Sequence, residues 1–192
     1  WNGLDKELKD SNAFSNVSVT DLNSLESILD DNKECLRTIR KATRLFLDGK
    51  QFYVEIEFSK AIENLQSAIT AFKDSLPCME DNGSFILSYI YLGLSYYAKD
   101  IKNEGYSSFK MALMINPEFI LNTSEFSPVV IKEFERVRGD IKKQKVASLK
   151  IVTLPDLPAI FWNGTQVENI IENVIPGEHF LSVKSEGFIG EN

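Results

Sequence analysis

Phe85–Pro117, FILSYIYLGLSYYAKDIKNEGYSSFKMALMINP, decides the architecture. Apolar residues recur at spacings of three and four through 85–98 and again through 102–115, and Pro117 stops the second run. Two helices joined by so short a link must lie antiparallel. Gly93 in the first and Gly105 in the second are small enough to let the helices approach closely. Tyr96 and Phe109 fill the space around that contact, with Tyr89, Leu92 and Ala112 beside them.

Upstream, a helix is expected over 58–76 on the spacing of Ala61, Leu65, Ala68, Ile69 and Phe72, ended by Pro77. Another is expected over 33–53, carrying Leu36, Ile39, Leu45, Leu47 and Phe52. A short separate helix with Leu22, Leu25, Ile28 and Leu29 on one face is expected before it, capped by Asp21. Gly49, Phe52, Ala61, Leu65 and Ala68 repeat the register of the second pair, with Gly49 and Gly93 standing 44 residues apart. Residues 79–84, rich in turn formers, account for the extra length. The first helix pair would bring Cys35 and Cys78 to the same end, so these two form a disulfide candidate, which implies an oxidising compartment. Two buried thiols are the alternative.

Downstream, Phe119–Phe126 reads as a linker. Ser127-Pro128 is a strong helix start for 128–145, whose stripe of Val130, Ile131, Phe134, Val137 and Ile141 suits a helix that covers the end of a stack. From Ala147 the pattern changes to alternating and β-branched residues with Pro and Gly. Strands are expected near 149–153, at Ala159–Trp162, at Ile170–Val174 and at His179–Val183, with Asn163-Gly164 as a hairpin turn. The chain divides into a weakly ordered arm (1–20), a helical domain (21–146) and a β domain (147–192). The fold class is α+β.

Tyr89, Leu92, Gly93, Tyr96, Gly105, Phe109, Ala112 and Pro117 resemble the tetratricopeptide repeat, with Tyr89 where Trp is common and Gly105 where Ala is common. Ala159, Asn163-Gly164, Pro176-Gly177-Glu178-His179, Phe180–Val183 and Gly187-Phe188 resemble the PEGA-type module, a small antiparallel β-sandwich of bacterial envelope proteins. The second Gly and the Thr-Pro usual in that module are missing, and the chain stops before a further strand. The resemblance therefore implies a sandwich that is incomplete or has an open edge, with a truncated or disordered C-terminus as the alternative. It implies a structural place for His179, the single histidine.

In the tetratricopeptide register the first helix of each pair lines a concave face. That face takes Phe46, Lys50 and Tyr53 from one pair and Leu87, Ile90, Leu94 and Tyr97 from the other. These residues suit a partner helix or an extended apolar peptide. The helix at 21–31 or the one at 128–145 would compete for the same face.

The 192 residues are 43% hydrophobic and 26% charged, an ordinary globular composition, with a formal net charge of −7. No basic patch stands out, which disfavours nucleic acid. No window has the ~18 apolar residues of a membrane span. No nucleophile elbow, metal-binding His pair or glycine-rich phosphate loop occurs, so no enzyme, metal or cofactor is expected. The expected function is a non-catalytic adaptor or scaffold of the bacterial cell envelope, attaching to protein or glycan through its β domain. The alternative is a structural subunit that self-assembles through apolar faces or an open β edge. The expected location is the periplasm or envelope, after removal of a signal peptide, with the cytoplasm as the alternative.

Overall fold

The computed structural model describes the backbone of residues 22–76, 79, 81–152 and 159–184, with side chains from residue 33 to residue 183 within those ranges. The N-terminal arm, Asp21, Pro77, Cys78 and Gly187-Phe188 lie outside the described residues. The chain is α+β. Helices α1 (Leu22–Val54), α2 (Phe58–Asp74), α3 (Gly83–Ala98), α4 (Lys102–Ile115) and α5 (Pro128–Lys142) are followed by strands β1 (Ala147–Lys150), β2 (Ala159–Trp162), β3 (Thr165–Val167), β4 (Ile170–Val174) and β5 (Leu181–Lys184). The chain separates into two compact units, 1–34 and 35–192. The described part of the first is helical throughout.

One expectation is corrected at once. The short helix at 22–29 and the helix at 33–53 are a single helix of 33 residues. Asp30-Asp31-Asn32 looks like a break, but each such residue costs a helix only ~0.6 kcal/mol relative to Ala. Without Pro or Gly, that is too little to end it.

The two helix pairs are built alike. α1 ends in a turn in which the Ile56 N–H donates to the Tyr53 carbonyl and the Glu57 N–H to the Phe52 carbonyl. α3 ends in the same turn, from Asp100 to Tyr97 and from Ile101 to Tyr96. Ile56 and Asp100 are both left-handed, at φ 65° and 60°. This is the Schellman arrangement that satisfies orphan carbonyls at a helix end. Every one of these positions in the second turn lies 44 residues after its counterpart in the first.

Side-chain packing keeps the same offset. A Cβ on Gly49 would lie 2.7 Å from Leu65 Cγ, and one on Gly93 would lie 2.7 Å from Phe109 Cδ1 and 3.1 Å from the Gly105 carbonyl oxygen. Both pairs therefore close through a glycine on the first helix and a large apolar residue on the second. Gly105 has the further duty of making room for the Tyr97 ring, whose carbons would lie 2.9 Å from a Cβ there. Ala61 fills the matching place in the first pair and is fully buried.

α3 is the centre of the helical body. Ten consecutive or near-consecutive residues, from Phe85 to Ser95, are buried on all its sides. Ser88 and Ser95 are satisfied there by donating to the carbonyls of Ser84 and Tyr91 one turn back. Phe109 of α4 packs edge-on against Phe134 of α5 at 5.3 Å. α5 starts as expected, with Pro128 in its first turn and the Ser127 hydroxyl accepting from the Val130 N–H. It ends at Lys142 rather than 145.

The β segment forms two small antiparallel sheets, β1 with β4 and β3-β2-β5. β2 pairs with β3 by Ile160↔Val167 and Trp162↔Thr165, and with β5 by Ile160↔Val183. β2 and β4 match their expected spans. Asn163 and Gly164 both have positive φ, 52° and 81°, as a two-residue primed turn requires.

That turn also seats the sheet on the helices. Asn163 is 4% exposed. Its Nδ2 donates to the Met114 carbonyl at the end of α4 (2.8 Å) and contacts His179 Nδ1 (3.2 Å), while its Oδ1 accepts from the Phe180 N–H (2.9 Å). His179 Nε2 lies 2.7 Å from the Ile175 carbonyl, which can only accept. The proton therefore sits on Nε2, and Nδ1 accepts from Asn163. Trp162 stacks on the imidazole at 4.5 Å. Phe180 meets Phe85 at 5.7 Å, Lys73 lies over the Phe180 ring, and the Lys73 ammonium pairs with Glu178 at 2.8 Å. Gly177 is favoured at this contact by its φ of 154°, which L side chains rarely adopt, and its bare Cα leaves room for the end of the Met114 side chain.

Candidate protein-binding face

α1 and α3 lie side by side through Tyr91. Its ring meets Phe46 at 6.3 Å and Tyr53 at 5.5 Å, the latter edge-on. Of the seven residues expected on this face, Phe46, Ile90 and Leu94 are buried, while Lys50, Tyr53, Leu87 and Tyr97 are half-buried. The helical register does bring Phe46, Lys50 and Tyr53 to one side of α1, against Tyr91.

Much of the face is already covered by the chain itself. The linker 119–126 meets it at Glu125 and Phe126. Glu125 of that linker accepts from the Lys50 ammonium and from the Tyr91 hydroxyl (2.7 Å), so α1 and α3 converge on one carboxylate. The Lys50 ammonium also stands 5.1 Å from the centre of the Tyr91 ring. Phe126 is 5% exposed and packs on the Tyr91 ring at 5.8 Å. Farther along, α5 covers Tyr97, whose hydroxyl donates to Glu133 at 2.9 Å, while Arg136 grips the same carboxylate.

The electrostatics follow from these contacts. The hydrogen bond from Lys50, followed by that from Tyr91, holds the Glu125 carboxyl below the usual carboxylate range. Glu133 is lowered in the same direction, chiefly by its hydrogen bond from Arg136. The Tyr91 and Tyr97 phenols are pushed well up, first by burial and then by donating to these carboxylates. Both tyrosines stay protonated and act as donors.

Tyr91, Glu125, Phe126 and Glu133 were not among the residues singled out from the sequence. Tyr91 stands 44 residues after Leu47, on an apolar position that periodicity alone assigns to the core. The linker residues fall in a stretch with no period at all. Among the described residues, no group of three or more His, Cys, Asp or Glu is placed to hold a metal ion. No described helix is long and apolar enough to cross a membrane. Cys35 is in a disulfide and lies near the end of α2, with its sulfur 3.8 Å from the Ser75 carbonyl oxygen. Cys78 lies outside the described residues.

The chain matches no family model, no curated protein and no solved structure. The face must be interpreted from its own chemistry. It offers a cation and a phenol donor among aromatic rings, and both are engaged by Glu125 of the chain itself.

Proposed function

We propose that this chain is a non-catalytic protein–protein interaction scaffold of the bacterial cell envelope. Its two helix pairs are of the tetratricopeptide type, and its β segment is a PEGA-type module. One observation carries the binding reading: Lys50 and Tyr91, from two separate helices, converge on the carboxylate of the linker turn. A face that holds the chain's own side chains in this way has the donors and rings to hold another protein's. The repeat reading is supported by the shared offset of 44 residues in turn, glycine and apolar partner. The PEGA-type reading is supported by Asn163-Gly164 and His179, which lock together where the module meets the helices. The disulfide at Cys35 supports an oxidising compartment, and Cys78, the remaining cysteine of the sequence, is proposed as its partner.

A second reading, self-assembly into a structural subunit, is favoured by one stripe on α1. Leu36, Leu47 and Val54 are 49%, 55% and 63% exposed and share one side of the helix. β1 adds four exposed residues.

Leu94 is too buried to probe the face, because an Asp there would disrupt the core. Photo-crosslinking side chains at residues 53 and 87 probe it instead, with exposed Thr70 on α2 as the control. The adaptor reading expects one partner adduct from 53 and 87 and none from 70. Equal adducts at all three, or none at any both in the wild type and in a variant whose 119–126 linker is loosened, contradict it. Light scattering decides between the two readings: a monomer at all concentrations fits the adaptor, and a constant oligomer fits the subunit.

A further inference from the structure

We infer that residues 119–126 form a strap that holds the α1–α3 face shut, and that the outside partner is a peptide presenting a carboxylate followed by an aromatic ring on a turn, which binds by displacing it. This rests on the reading of that face as a protein-binding site and names both its regulation and its ligand chemistry. The strap is itself such a peptide, with Glu125 followed by Phe126. Glu125 takes its donors from α1 and α3, and Phe126 lies against Tyr91 between them.

The strap is attached as a displaceable element would be. Its ends are fixed independently of the face. At the entrance Arg138 donates to the carbonyls of Pro117 and Phe119. At the exit the Ser127 hydroxyl caps α5. Between them, the backbone hydrogen bonds of 121–126 run within the segment, from the Glu125 and Phe126 N–H groups to the Asn122 carbonyl. The Asn122 side chain closes a second turn by accepting from the Ser124 N–H and hydroxyl. Among the described residues the helices hold the strap through side chains, with Leu121 and Phe126 buried, so its release breaks no backbone hydrogen bond of α1 or α3. A tethered ligand of this kind acts at an effective concentration on the order of millimolar. An outside peptide of the same chemistry therefore binds weakly until the strap is loosened.

The test uses the full chain and a fluorescent peptide with the sequence of residues 119–128. Glu125→Ala/Phe126→Ala loosens the strap and leaves every residue of α1 and α3 intact. This variant is expected to bind the peptide at least tenfold tighter than wild type. A peptide with Lys at the Glu position should lose that binding, and adding Lys50→Glu to the protein should restore it. A folded double variant that binds no better than wild type overturns the strap. Should the double variant fail to fold, Glu125→Ala alone decides: hydrogen exchange of amides 122–126 is expected to speed at least tenfold, and unchanged exchange overturns the proposal. Cross-links at 53 and 87 that are equally strong in wild type and strap variant overturn the strap alone. Tight binding of the peptide with no partner adduct in either protein contradicts the adaptor reading and leaves the strap standing.

Discussion

The two helix pairs share a turn, a glycine seam and an offset of 44 residues, yet they live in different surroundings. Tyr91 of the second pair is 4% exposed, whereas Leu47, its counterpart 44 residues earlier, is 55% exposed. α3 is packed on every side by α1, α2, α4 and the strap, so its tyrosine becomes the hub of an aromatic cluster. The same helical position on α1 looks outward. The repeat therefore dictates how each pair closes, and position in the stack dictates which surfaces become core.

The largest expected effect tests whether the second pair carries more of the stability. Phe109→Ala should cost ~3–5 kcal/mol and Leu65→Ala ~2–4 kcal/mol, both being fully buried. Urea denaturation measures the two. An equal or reversed order would remove the distinction between centre and edge.

The glycine seam comes next. Gly93→Ala forces the Phe109 ring to move, an overpacking penalty of ~1–3 kcal/mol, partly offset by the ~1 kcal/mol that Ala gains in a helix. A net loss of up to ~2 kcal/mol is expected. Gly139→Ala on α5 is the matched control, because nothing lies within 4 Å of a Cβ there. It should raise stability by up to ~1 kcal/mol, read as a shift in the denaturation midpoint.

The shared turn gives a smaller effect of opposite sign. Ile56 is a β-branched residue held left-handed at φ 65° and is 73% exposed, so its side chain buries little in return. Ile56→Gly should stabilise by ~1 kcal/mol. Asp100→Gly, at the equivalent place, should give only a few tenths, since Asp tolerates this conformation better. Thermal unfolding of both variants compares the turns directly.

The smallest effect is that of pH on the covered face. Glu125 and Glu133 have lowered values in the folded protein, so their contribution is present above the ordinary carboxylate range and fades as pH falls below ~4 through the depressed values. Both side chains are about one-third exposed, so screening keeps each contribution small. Hydrogen exchange in the strap is expected to rise on acidification before the helices open. Glu125→Gln should remove that rise.

Legibility in the sequence followed the strength of local pattern. α4, β2 and β4 had their ends marked by Pro117, Asn163-Gly164 and flanking turn formers, and they formed where expected. The continuity of α1 was missed because Asp30-Asp31-Asn32 is polar without being a true breaker. The face was legible as a set of positions, since Phe46, Lys50 and Tyr53 obey helical spacing. Its covering was not. Glu125 and Phe126 sit in a linker whose path depends on Arg138, on the Ser127 cap and on a carboxylate finding Lys50 across 75 residues, and none of these leaves a periodic signal. Asn163 was legible as a turn, but its hold on Met114 is a tertiary contact.

The central claim is that both helix pairs close through the same glycine seam. Double-mutant cycles of Gly93→Ala with Phe109→Leu, and of Gly49→Ala with Leu65→Val, measure that seam directly. The account predicts that the smaller partner relieves the added methyl in both cycles, with a coupling of about 1 kcal/mol and the same sign. Additive free energies in either cycle would mean that its glycine is not pressed against its partner, and the equivalence of the two pairs would fail.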